Sequence, residues 1–448
     1  MKRVGGLCIV ALVAAAAAAP ASQAAWTPPA ELAVAGQDAS TPQVAVSNEG
    51  LAVFVWVRFD GTNPDPDPNV RCCNRIQARS SSGGVLGPVQ TISAAGANAA
   101  DPHVAVDPAG DAVIVFTRRS GGLDRITARA RSATGVLGPT VTLSPTTQST
   151  FEPQVAIDDS GDAVFAWTRY VAPDYQTATR ALSSTGVLSG IQVLSQVGHD
   201  ALSPRLDVDA DGDGVFTWQR SENGANTRAQ ARARSAAGTL GPIENLSVAG
   251  GDVSLTPSAP DVKLDDAGDA VFVWTRQDGS STGCCTIVQT RGRSAAGVMG
   301  PIADVSAAGR YADYQRLGVD ADGDAVITYR RYDGANYRAV ANGRSAAGVV
   351  SAPQTLSVAG AFAYEPAVAV APAGNAVLSW ARTDADGFKI VQARTRSAAG
   401  ALSPISDVSL TGHHASALQV ALDPLGDAIA TWQRSDGTNT RIQASFGP

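Results

Sequence analysis

Apolar and polar positions along the chain fall into one arrangement that recurs eight times. A unit opens on a short apolar strand (VAVD at 104–107), turns through DPAGD and continues as a second strand (AVIVFTR at 112–118). A variable loop, a third strand (RITARARS), a glycine turn and a fourth strand complete it. Gly50, Gly110, Gly161, Gly212, Gly268, Gly323, Gly374 and Gly426 anchor the units, 51 to 60 residues apart. The second strands AVIVF, AVFAW, AVFVW and AVITY are near-continuous apolar runs. Strands of that kind are covered on both faces, whereas a sheet with one wet side alternates. Each ends in an aromatic residue, one intervening position and an arginine, from Trp56/Arg58 to Trp432/Arg434. A period of two puts both on one face of the strand.

Four strands per unit with covered middle strands predict an all-β architecture of blades stacked side by side, an eight-bladed β-propeller. The chain ends predict its closure. The last unit stops after its third strand, RIQASFGP, while residues 29–36, PAELAVAG, match the fourth strands PIENLSVAG and PIADVSAAG of later units. One strand from the N-terminus thus completes three from the C-terminus, and closing the ring removes exposed sheet edges. Residues 25–448 are read as this single domain.

The run PHVAVDPAGDAVIVF, with RIQAR in the third strand, resembles NHL-type propeller repeats. A closer resemblance is to poorly characterised secreted bacterial propellers with G-N-A-x-A-V-W repeats and a following D-G, as in GNAVLSW at 374–380 and TWQRSDGTNTRIQA at 431–444. It spans essentially all of the chain after residue 24 and implies a blade, not an activity. NHL units usually carry an acidic residue after the second strand where this chain has arginine, so their partners do not carry over.

Residues 1–24 combine Lys2 and Arg3, an Ala- and Val-rich run and Ser22-Gln23-Ala24. That is the pattern of a secretory signal peptide cleaved after Ala24. No other stretch approaches the roughly 20 apolar residues of a membrane-spanning helix. A soluble exported protein without membrane insertion is expected, extracellular or in the cell envelope. Loss of Lys2 and Arg3 takes the net charge from −7 to −9, spread without blocks. Such a surface excludes nucleic acid as a partner.

Candidate chemistry is sparse. Cys72-Cys73 and Cys284-Cys285 lie in the loops after the second strands of units 1 and 5, on opposite sides of the ring. Export favours oxidation, and a cross-ring bridge would need α-carbons within roughly 7 Å. Two vicinal disulfides are expected, with free thiols or one intermolecular bridge as alternatives. Asp209, Asp211 and Asp213 have the D-x-D-x-D-G spacing of a calcium loop. The position for a later acidic ligand holds Thr217 or Arg220, and short acidic turns are ordinary hairpin chemistry. No cofactor is expected, with calcium at Asp209, Asp211 and Asp213 as the alternative. His103, His199, His413 and His414 show no ligand spacing and G-x-S-x-G is absent, so no catalytic residue is assigned.

The short turns share one face of a propeller and the variable loops the other, where function is usually grafted. Five of the eight tyrosines flank unit 6, among Arg310, Asp313, Asp333 and Arg338. Tyr311, Tyr314, Arg316, Tyr332, Tyr337 and Tyr364 form a candidate platform for sugar rings or peptide side chains. Packing of long loops is the other reading of the same tyrosines. The arginines that follow the strand-two aromatics occur in every unit and are assigned to blade interfaces. These features predict a secreted, non-catalytic binding or adhesion module for an extracellular glycan or surface protein. A polysaccharide-active hydrolase or lyase and a structural envelope protein are the alternatives.

Overall fold

The computed structural model describes residues 25–61, 73–222, 226–249, 253, 259–279 and 285–447. The expected leader, Cys72 and Cys284 lie outside them. The described residues contain no helix, and their strands form eight antiparallel sheets. Blade 2 shows the plan, with Ala99–Val106, Ala112–Ser120, Leu123–Arg131 and Leu137–Thr142 paired in that order. In blade 1 the outer strand is Gln90–Thr91, and a short Val85–Leu86 segment pairs beside it. Blade 8 consists of Ala415–Leu422, Ala428–Ser435 and Thr440–Gly447, completed by Ala30–Glu31. Ala30 pairs with Ala444 and Glu31 with Gln443. Thr27 N–H to the Phe446 carbonyl and Leu32 N–H to the Ile442 carbonyl, both 2.8 Å, extend the seam. The propeller closes as the two ends of the sequence predict.

Each first strand touches the first strands of both neighbouring blades, round to blade 8 and back to blade 1, so the eight ring the axis. Second strands are sandwiched: Trp56, Phe116, Trp167, Trp218, Trp274, Tyr329, Trp380 and Trp432 are all fully buried. Apolar clusters straddle blade boundaries. Val53, Val55 and Ile76 of blade 1 pack on Ile114 and Phe116 of blade 2, and Phe54 and Trp56 pack on Ile429 and Ile442 of blade 8. Burial of this apolar surface between blades is the main term holding the ring.

Third-strand arginines add a polar staple. Arg180 donates to the Ser189 carbonyl of its own blade at 2.7 Å and to the Leu143 carbonyl of the preceding blade at 3.0 Å. Arg129, Arg232, Arg291 and Arg394 repeat the pattern. Arg79 of blade 1 reaches the Glu31 carbonyl at 3.0 Å, binding the closing strand to the next blade. The fixed fork of arginine suits two carbonyls at once.

One local distortion orients the axis. Seven first strands carry a bulge, as between Ser40 and Gln43 or between Leu202 and Arg205. There Thr41, Asp101, Glu152, Ser203, Tyr314, Glu365 and Ala417 adopt left-handed φ between 47° and 57°. Proline follows five of the seven and has no N–H to lose from the ladder, which makes it compatible with a bulge. The bulge sets the face on which the next inner-strand residue lies.

Candidate functional site

On the variable-loop face, blades 6 and 7 share a strip of aromatic rings. Tyr332 and Tyr337 are cross-strand partners with ring centroids 5.4 Å apart. Tyr337 meets Phe362 at 6.4 Å, and Phe362 meets Tyr364 at 6.2 Å. Lys389 lies 4.2 Å from the Tyr364 ring centre, and Arg330 lies 4.4 Å from that of Tyr314 and 4.0 Å from that of Tyr337. A bidentate ion pair with Asp313, at 2.7 and 2.8 Å, fixes Arg330 between the two rings.

The loop carrying the tyrosine pair is rigid. Asp333 accepts the backbone N–H groups of Ala335 and Asn336, its carbonyl accepts from Arg310, and Arg338 pairs with its carboxylate. These hydrogen bonds, the one from Asn336 foremost, hold the Asp333 carboxyl below its usual range. Tyr332 Oη donates to the Gly334 carbonyl. The hydroxyls of Tyr311, Tyr314, Tyr337 and Tyr364 have no partner among the described residues. Phe362 is 39 % exposed and Tyr311 38 %, so the strip combines open ring faces with free hydroxyls.

Of the candidate residues, Tyr314, Tyr332, Tyr337 and Tyr364 come together here, and the Tyr311 carbonyl accepts the Tyr332 N–H. Arg316 has no ring contact in this strip; it donates to the Gln315 carbonyl at 2.9 Å, and Tyr314 acts on it electrostatically. Phe362, Arg330 and Lys389 belong to the strip and were not singled out from the sequence. A second cross-strand pair, Tyr170 and Tyr175 at 5.0 Å with Phe151 6.4 Å away, sits at the matching place in blade 3.

The axis carries a second group of polar side chains. The first residue after each bulge points inward: Gln154 Nε2 donates to His103 Nε2 at 3.2 Å across a blade boundary. Arg205 in blade 4 acts electrostatically on His103 two blades back and on Arg316 two blades on. Burial, aided by Arg205, lowers the His103 pKa to about 3, so it is neutral. One step further along the strands, Lys263 Nζ binds Asp207 Oδ1 at 3.0 Å, and that carboxylate raises the lysine pKa. The Lys263 side chain is 42 % exposed although it sits on an innermost strand, so solvent reaches it there. Glu152 accepts from Thr168 Oγ1 at 2.7 Å and from the Ser203 N–H and hydroxyl at 2.7 and 3.0 Å. The neighbouring Asp101 pKa is raised, first by the desolvation that surrounding blades impose and then by Glu152 and Asp124.

Other sequence candidates have structural duties. Asp209 Oδ1 accepts the N–H groups of Asp211 and Asp213, and Asp213 Oδ1 that of Ala236. Among the described residues no three His, Cys, Asp or Glu side chains gather as a metal site. Arg58, Arg169 and Arg276, of the set after the strand-two aromatics, bond Gln37, Gln176 and Gln289. Clefts on the short-turn face, one of about 570 Å³ between blades 2 and 3, recur between other blades and belong to the repeat. Cys73 and Cys285 are buried and disulfide-bonded, and since Cys72 and Cys284 lie outside the described residues the vicinal pairing is a proposal.

No protein-family profile and no curated protein match the chain. Among solved structures, a lectin from Burkholderia pseudomallei is similar over 84 % of this chain and all of its own, with 10 % identity and a TM-score of 0.53. The β-propeller domain of the Trilobed protease from Pyrococcus furiosus aligns over 87 % of this chain and 99 % of its own, at 8 % identity and a TM-score of 0.46. The NanB sialidase from Streptococcus pneumoniae aligns over 91 % of this chain and 68 % of its own, at 10 % identity and a TM-score of 0.38. Identities this low show the propeller fold alone.

Proposed function

We propose that this protein is an exported, non-catalytic binding module that engages a glycan through the loop face of blades 6 and 7. The carrying observation is the strip from Tyr332 through Tyr337 and Phe362 to Tyr364, held rigid from beneath by Arg330 and Asp313. Ring faces with free hydroxyls beside them suit sugars, which present apolar C–H faces rimmed by hydroxyls. The lectin with the same fold is consistent with such a use. The proposed vicinal disulfides would stiffen loops on this face in blades 1 and 5. Peptide mapping should find each cysteine pair in one peptide lacking two hydrogens until reduced, and alkylation without reduction would refute the pairing.

The test is a glycan array and cell-envelope pull-down with residues 25–448, beside Tyr332→Ala/Tyr337→Ala and Phe362→Ala/Tyr364→Ala variants. Binding by wild type and its loss in variants with unchanged melting support the reading. Equal binding by all three proteins, or none by wild type, removes it. A second reading, glycoside hydrolysis, rests on Asp101, whose carboxyl pKa is raised first by burial, beside the hydrogen-bonded Glu152, two carboxyl groups in unlike surroundings. Release of sugar that disappears in Asp101→Asn would establish it, and intact glycan after long incubation would dismiss it.

A further inference from the structure

The axis breaks the repeat. At the two inward positions of the first strand, five blades carry neutral pairs: Gln43/Ala45, His103/Ala105, Gln154/Ala156, Ala367/Ala369 and Gln419/Ala421. Blades 4, 5 and 6 carry Arg205/Asp207, Asp261/Lys263 and Arg316/Gly318. Gly318 is explained by packing, since a Cβ there would come within 2.5 Å of Val370 Cγ2. The charges are not, because the same ring is built without them in five blades. Placing a charge among packed strands costs free energy unless a partner offsets it.

Asp207 and Lys263 offset each other. Arg205 and Arg316 have no such partner. Each donates one hydrogen bond, to the carbonyl of the residue before it, Pro204 at 3.0 Å and Gln315 at 2.9 Å. Neither forms an ion pair with a carboxylate among the described residues. Two guanidinium forks on first strands, each with most of its five N–H donors without a partner among the described residues, therefore stand two blades apart around the axis, and Arg205 lowers the Arg316 pKa.

We propose that Arg205 and Arg316 form a seat for the carboxylate of an acidic sugar, a uronic acid, entering along the axis from the loop face. Arginine forks match a carboxylate in geometry and charge. Asp261 stands on the blade between them, and both Asp261 and Glu365 act on Arg316. That mixture disfavours a dianion, which the carboxylates would repel. It favours a monoanion whose hydroxyls donate to Asp261 and Glu365. Tyr314, two residues before Arg316 and in contact with Arg330, connects this seat to the aromatic strip. The seat does not depend on the strip, and either can fail without the other.

The experiment is ligand-observed NMR and calorimetry on residues 25–448 with D-galacturonate and D-glucuronate as probes. Galactose, glucose and inorganic phosphate are the comparison arms. Arg205→Gln, Arg316→Gln and Tyr332→Ala/Tyr337→Ala are run beside wild type. We expect a uronate, but no neutral sugar, to bind wild type, and affinity to fall about tenfold or more in each glutamine variant, as loss of a charge-assisted pair implies. The tyrosine variant should bind the uronate like wild type. The glutamine variants should melt at or above the wild-type temperature, since other blades use glutamine there. Equal binding of neutral sugars, preference for phosphate, uronate binding untouched by both substitutions, or no binding of any probe would overturn the proposal. So would strong destabilisation by both substitutions, because the arginines would then serve the fold.

Discussion

His103 illustrates how position on the axis governs a single side chain. Its imidazole accepts from Gln154 and is neutral, with a folded pKa of about 3 against 6.5 when free. Between those values the unfolded chain holds a proton that the folded chain does not. Stability present above about pH 6.5 is therefore lost as pH falls toward 3. Glutamine fills the same position in blades 1, 3 and 8, so His103→Gln should fold normally and flatten this acid limb. Melting temperature measured from pH 7 down to pH 4 is the check, and parallel curves for the two proteins would show that another group titrates. The sequence marks this histidine as having no ligand spacing, but not that it faces the axis, because apolar periodicity does not reveal the bulge before it. The charged axis is hidden for a related reason. RLDV and DVKL sit in strands otherwise read as apolar, and only superposing the eight units exposes Arg205, Asp207, Asp261 and Lys263 as departures from Gln and Ala.

At the scale of the element, the arginine staple shows that one residue type serves two purposes. The third-strand arginines hold adjacent blades through carbonyls, whereas Arg205 and Arg316 on the first strands hold nothing beyond their own backbone. Arg180→Ala should cost about 1.5–3 kcal/mol, the usual worth of hydrogen bonds to a charged group. Blade 6 suggests a milder change, because Asn342 at this place still donates to the Ser351 carbonyl at 2.7 Å. Arg180→Asn is expected to retain part of the loss, and urea unfolding of both variants would rank them; equal stability of Arg180→Ala and wild type would deny the staple any energetic role. Strands and turns are legible in the sequence because burial on both faces leaves continuous apolar runs and tight turns demand glycine. The clustering of tyrosines round blade 6 is legible too. Phe362, Arg330 and Lys389 are not, since their contacts cross from one strand or blade to another and have no fixed spacing along the chain.

For the molecule as a whole, closure depends on Ala30–Glu31 with Thr27 and Leu32. Deleting residues 25–36 should leave Thr440–Gly447 as an open edge, lower the melting temperature and promote association through that edge. Light scattering beside thermal melts tests this, and a monomer of unchanged stability would mean that neighbouring blades alone hold the ring. The seam also fixes how the ring responds to mechanical load. Thr27 is bonded to Phe446 at one end of the antiparallel pair, with residues 25 and 447 both on that side of it. Tension applied between Thr27 and Phe446 would therefore peel the strands apart from this end, beginning with the hydrogen bonds of the Thr27 N–H, carbonyl and hydroxyl. Eight blades share the thermodynamic stability of the ring, but a pull on this seam is resisted first by the three hydrogen bonds of one residue, Thr27.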